Sequence, residues 1–216
     1  MKSAPNPSAK KRTVSLKWLI ALTLLLVLSV GSGFSYFVVY KEQFYRLFHV
    51  HYQQYPDDVM ENIYWLEKAV KADFCNPRNA LAKITSEKDW EKYRYLFMMH
   101  VNLKLIEQHM RLAATFDKEV AYFYEAPWKD QYLRDLEKAQ QCFQTGLVYW
   151  QEAKLWAEKA STGNFQFLFL PDIQNWEDER YRIANGELNY EKILNRELVR
   201  LAKVRDTFLA MDEETY

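Results

Sequence analysis

The sequence predicts an all-α fold: one N-terminal transmembrane helix followed by an antiparallel helical body. Three observations carry that prediction. Trp18–Tyr40, WLIALTLLLVLSVGSGFSYFVVY, is an apolar run without a charged side chain. Beyond it, apolar residues recur at steps of three and four through the long segments, the period of a helix with one buried face. Glycines and prolines are few there and fall mostly between periodic stretches, and strand-like alternation is confined to Phe165–Leu170.

Residues 1–17 hold Pro5, Pro7 and the cations Lys2, Lys10, Lys11, Arg12 and Lys17, a composition that predicts a disordered tail. No acidic residue precedes Glu42, so the first forty residues carry +5; because the chain as a whole is neutral, the rest carries −5. Residues 18–40 as a helix rising ~1.5 Å per residue would be about 35 Å long, enough for a hydrocarbon core of roughly 30 Å. The lipid bilayer is therefore an expected partner through residues 18–40. The basic flank stays in the cytoplasm by the positive-inside rule, which puts residues 41–216 on the far side. A cleaved signal peptide is the competing reading, with Gly31 and Gly33 as small residues for a peptidase. Phe34–Tyr40 continues the apolar run without a break and is aromatic at its end, which favours a retained anchor. No glycosylation sequon is usable, since Asn6 precedes Pro7, and the expected location is a bacterial inner membrane with a periplasmic body. An acidic body lacks the basic footprint that nucleic acid requires.

Phe44, Leu47, Phe48, His51, Tyr52 and Tyr55 form a helical stripe, so the anchor helix is expected to run on and stop before Pro56. The next segment, PDDVMENIYWLEKAVKA, has acids at its start and cations near its end, as the helix dipole favours, and closes at DFCNP. A short helix is expected at Arg78–Ile84. Ser86 and Asp89 make a capping-box-like start for a long helix in which Leu96, Met99, Leu103, Ile106, Met110 and Ala113 alternate steps of three and four. Met98, Val101, Leu105, Leu112 and Phe116 widen its apolar face, as expected of a central helix.

A second long helix, Trp128–Ser161, carries the seam Leu136, Ala139, Phe143, Gly146, Trp150, Ala153 and Ala157. Its expected partner is the Leu96–Ala113 face, antiparallel, with a close approach at Gly146; an intermolecular coiled coil is the alternative. STGNFQFLFLPDIQNW reads as non-helical. A short helix around Glu177–Ile183, a turn at Asn185-Gly186 and a last helix Tyr190–Met211 with Asn189 as N-cap complete the chain.

Aromatic residues make up 16% of the chain and concentrate at Tyr122, Phe123, Tyr124, Trp128 and Tyr132, around the break between the long helices. They form either a tyrosine- and tryptophan-rich core or a groove for a protein segment. Phe165, Phe167 and Phe169 would share one side of an extended chain, as a strap over the bundle or as a docking edge. Tyr122, Tyr124, Trp128, Tyr132, Phe165, Phe167 and Phe169 are thus the candidate partner-binding residues. Cys75 and Cys142 both fall in the exported part, where they either form a disulfide or stand as two separate thiols. His49 and His51 face apart on a helix and make no metal pair, and His100 and His109 cannot share a ligand. No phosphate loop, H-E-x-x-H, G-x-S-x-G or Cys-x-x-Cys is present, so no enzyme, cofactor or metal is expected.

Leu66-Glu67-Lys68-Ala69 recurs as Leu136-Glu137-Lys138-Ala139. The first copy, in YWLEKAVKADFCNPRNAL, resembles the second helix and turn of a tetratricopeptide (TPR) repeat, with Ala69 at the small position and Phe74 where the repeat usually has proline. A basic-tailed anchor bearing an aromatic-rich helical body, as in YRYLFMMHVNLKLIEQHMRLAATFDKEVAYFYEAPWK, also resembles the periplasmic collar proteins of the spirochaete flagellar motor. That resemblance implies an assembly scaffold. The expected function is a membrane-anchored, TPR-like scaffold that docks other envelope proteins, with oligomerisation open; a ligand-binding sensor using an aromatic groove is the alternative.

Overall fold

The computed structural model describes residues 38–75, 84, 86–117, 128–162 and 171–211. The chain divides into Met1–Val38 and Val39–Tyr216, and all the described helices belong to the second unit. They are α1 (Lys41–Gln54), α2 (Val59–Lys71), α3 (Glu87–Phe116), α4 (Lys129–Ala160), α5 (Pro171–Ala184) and α6 (Tyr190–Ala210). The described residues form no strand beyond one isolated parallel bridge, Tyr40 to Asp73. The all-α expectation holds.

The short hairpin α1–α2 is fastened at both ends. At its open end the Gln43 carboxamide accepts from the amides of Val39 (2.9 Å) and Tyr40 (3.1 Å), and the Lys41 amide donates to the Asp73 carbonyl (2.9 Å). The last carbonyls of a helix lack intrahelical partners. Here the buried Lys41 ammonium supplies one, donating to Ala69 O (3.2 Å) and to Val70 O. At the turn, Asp58 caps α2 by accepting from the Glu61 amide (3.3 Å), and buried Asn62 donates to the carbonyls of Tyr55 (3.5 Å) and Pro56 (3.4 Å). Pro56 disfavours helix at the residue before it, and α1 stops as expected.

The continuous helix from anchor to Pro56 is not what forms. Tyr40 is extended (φ −103°, ψ 151°) and α1 starts only at Lys41, because the bridge to Asp73 and the Lys41 contacts hold the backbone there in a non-helical conformation. Residues 1–37, with most of the run Trp18–Tyr40, lie outside the described residues. Among the described residues no helix is long and apolar enough to cross a membrane.

The long helices α3 and α4 form an antiparallel hairpin: Tyr95 meets Trp156, His109 stacks on Tyr149, and Lys138 lies over the Phe116 ring. Ser86 caps α3 by accepting from the Asp89 amide at 3.4 Å. Leu96, Met99, Val101, Leu105 and Ile106 are wholly buried, since α2 packs on α3 from one side and α4 and α5 cover others. Burying one such side chain contributes about 1.5–3 kcal/mol relative to exposure, so this helix anchors the body. The α4 seam is buried at every expected position from Leu136 to Ala157. It is filled within the chain, which removes that seam as an intermolecular coiled coil.

Gly146 does allow a close approach, but chiefly to a third helix. A Cβ there would lie 3.3 Å from Leu194 Cδ1 of α6 and 4.0 Å from Ile106 of α3. The NFQFLFLPDIQNW stretch is helical from Pro171, where proline suits a first helical position, so α5 begins earlier than expected. Gly186 takes the left-handed conformation (φ 75°) in the turn before α6. Asn189 caps α6, accepting from the Lys192 amide at 3.0 Å. The expected Arg78–Ile84 helix lies outside the described residues except for Ile84, which is buried and not helical.

Candidate docking surface

The expected aromatic site is only partly within the described residues. Tyr122, Tyr124, Phe165, Phe167 and Phe169 lie outside them. Trp128 is exposed at the start of α4. Tyr132, one turn on, is half-buried edge-to-face on Phe208 of α6 (5.7 Å), so it serves the core rather than a groove. Cys75 and Cys142 are separate free thiols, one half-buried at the end of α2 and one buried on α4, and no disulfide joins them. Burial pushes the Cys142 thiol above its ordinary range. No cluster of metal ligands occurs among the described residues.

Most other aromatics build the core. Phe97 is met by Tyr45 of α1, Phe74 of the α2 end and Trp176 of α5, each edge-on. Phe74, at the position the TPR pattern gives to proline, spends its ring on that contact and lies under the Lys41 ammonium. Both copies of the recurring tetrapeptide bury the same two positions: Leu66 and Ala69, Leu136 and Ala139.

Between α1, α3 and α5 lies a polar cluster that local patterns do not reveal. Buried His100 contacts Glu179 through Nδ1 (2.6 Å) and the Tyr45 hydroxyl through Nε2 (2.7 Å), and its ring stacks on Trp176. A carboxylate has no proton to give, so Nδ1–H donates to Glu179, while Nε2 and the Tyr45 hydroxyl share the second hydrogen bond. Burial and the carboxylate of Glu179 push the Tyr45 hydroxyl far above its ordinary range. Beside it, Glu177 pairs with Lys92 and accepts from Arg180 Nε (2.6 Å). These groups satisfy one another, which makes the cluster a clasp for α5.

The outer face of α2 behaves differently. Met60 (64% exposed) and Tyr64 (46%) stand one turn apart on it, and Lys68 reaches over the Tyr64 ring at 5.4 Å. Trp65 sits edge-on to Tyr64 (4.9 Å) and stacks on Phe44 of α1, so the exposed ring has a rigid backing. The turn beneath is pinned as well: Arg111 of α3 donates to the Tyr52 hydroxyl (3.2 Å) and to Asp57 (2.9 Å), and His51 Nδ1 donates to Asn62 Oδ1 (3.0 Å). A groove of about 230 Å³ elsewhere, between α4 and α6, is lined by Asp130, Leu133, Arg134, Glu137, Arg205 and Leu209 and holds no aromatic. Sequence reasoning missed Met60 and Tyr64 because both lie within an amphipathic helix, where only the third dimension says which apolar residues face out.

No curated protein and no solved structure matches the chain. Residues 88–211, from the first turn of α3 to the end of α6, match the model of a family described as a domain of unknown function, DUF8513. The first copy of the recurring tetrapeptide, around Leu66, and the α1–α2 hairpin fall before that match. Because the matched residues are more than half of the 216, the chain belongs to the DUF8513 family.

Proposed function

We propose that the protein is a membrane-anchored helical scaffold that docks other proteins of the bacterial envelope. Residues 18–40 span the inner membrane, with the basic tail in the cytoplasm and the body in the periplasm. The TPR-like α1–α2 hairpin carries the docking face, and assembly of a flagellar motor collar is the setting that the collar resemblance supplies. One observation carries the reading: Met60 and Tyr64 are large and exposed, and Tyr64 is backed by Trp65, on a hairpin fastened at both ends. A preorganised aromatic ring loses little entropy on binding, and aromatic and methionine side chains are enriched at interface centres.

The sensor alternative asks for an enclosed pocket among aromatics. The groove beside α6 is open and lined by four charged residues and two leucines, so it lends that alternative no support. The test is a photo-crosslinking residue at Tyr64 in intact membranes. A defined adduct with another envelope protein, lost on Met60→Asp, is the expected result. Recovery of the unmodified chain alone would overturn the docking role.

A further inference from the structure

Residues 41–216 are acidic, yet α6 alone carries five cations, Lys192, Arg196, Arg200, Lys203 and Arg205, against three anions, Glu191, Glu197 and Asp206. Their placement is uneven. Leu194, Leu201 and Phe208 are the buried line of α6, and at ~100° per residue Lys192, Arg196, Val199 and Lys203 fall on the opposite side within an arc of about 60°. All four are exposed, Val199 at 58%.

Two of the three α6 anions are engaged by cations outside the stripe, Glu197 only in part. Glu191 pairs with Lys154 of α4 at 3.0 Å. Glu197 accepts from Arg200 Nε at 2.8 Å, while the rest of the Arg200 fork is held by Asp117 at the end of α3; of the stripe residues only Arg196 also reaches Glu197, at 3.2 Å. Lys192 and Lys203 have no carboxylate partner among the described residues. Asp206 bounds the stripe at its C-terminal end.

We propose that the outer face of α6 is a second docking surface, whose occupant is an acidic amphipathic helix of a partner protein. Carboxylates spaced three and four residues apart on that helix would meet Lys192, Arg196 and Lys203, and an apolar residue at its centre would cover Val199. Charge complementarity of this kind chiefly sets partner choice and encounter rate. The proposal rests on the docking role above and concerns a different face.

The test uses the full chain in nanodiscs of neutral phosphatidylcholine, free of detergent. The probes are a synthetic 21-residue amphipathic peptide with glutamates flanking a leucine stripe, its lysine counterpart, and phosphatidylglycerol vesicles. The glutamate peptide should bind, weaken as salt is raised, and bind roughly tenfold or more weakly to the triple variant Lys192→Glu, Arg196→Glu, Lys203→Glu. The milder triple Lys192→Gln, Arg196→Gln, Lys203→Gln should fall between, and serves if the charge reversal fails to fold. Equal binding of both peptides, indifference to either variant, or binding to vesicles with none to the glutamate peptide would overturn the proposal. No binding of the glutamate peptide to the unaltered chain, with the Tyr64 adducts intact, would overturn the α6 surface alone; absence of both would overturn the docking role itself.

Discussion

Gly146 of α4 and Leu194 of α6 meet so closely that even a Cβ on the glycine would crowd the leucine. A Cβ at position 146 would come within 3.3 and 3.4 Å of the two Leu194 methyls, and Leu194 is fully buried. Alanine at 146 gains up to about 1 kcal/mol of helix propensity, against a shift of a few tenths of an ångström in Leu194. Gly146→Ala should therefore stay within about 1 kcal/mol of the parent in denaturant unfolding. Gly146→Leu should lose about 2–4 kcal/mol, since it forces α6 off its seat.

The Lys41 contacts end the extended entry segment and begin the body. Lys41→Met keeps the apolar stem but leaves the Ala69 and Val70 carbonyls without the ammonium. A cost of about 1–3 kcal/mol is expected, with faster proteolysis near Val39, because the Tyr40–Asp73 bridge loses its neighbour. Unchanged protease resistance would show that the bridge holds the entry by itself.

His100 ties α1 and α5 to the central helix. His100→Leu leaves the Tyr45 hydroxyl and the Glu179 carboxylate without a partner and should cost about 2–4 kcal/mol. Glu179→Gln keeps an acceptor for Nδ1–H and should cost less than half as much. Trp176, stacked on the imidazole, reports the difference by fluorescence.

His109 is buried against Tyr149 with neither ring nitrogen hydrogen-bonded among the described residues. Burial lowers its pKa below the ordinary 6.5, and Glu67 of α2 opposes this only in part. The folded state thus prefers the neutral ring. Its contribution is fully present above pH 6.5 and is lost as pH falls through the lowered value, since the unfolded chain takes up the proton first. His109→Phe, which keeps the ring stack, should flatten the fall in stability below pH 6.5; an unchanged acid slope would assign that loss to other groups.

The α4 seam was legible in the sequence because a three-four spacing marks a buried face whichever helix covers it. The caps at Ser86 and Asn189 were legible for the same local reason. What was hidden depends on residues far apart in the chain. The break at Tyr40 lies at the end of an apolar run with helical residues after it, and its cause is Asp73 and the end of α2. The His100 clasp joins Tyr45 and Glu179, 55 and 79 residues away, and no local period reports such a pair. The early start of α5 had a local signal in Pro171 and Asp172, outweighed in the reading by the phenylalanines before it.

In the proposed topology the body is held across the membrane, where envelope partners can reach its docking faces. Labelling a Lys88→Cys variant in a Cys75→Ser background with a membrane-impermeant thiol reagent tests it most directly, because residue 88 is exposed and the remaining Cys142 is buried. Intact cells with a permeabilised outer membrane should label at Lys88→Cys. Labelling only after the inner membrane is broken would place the body in the cytoplasm and contradict that topology.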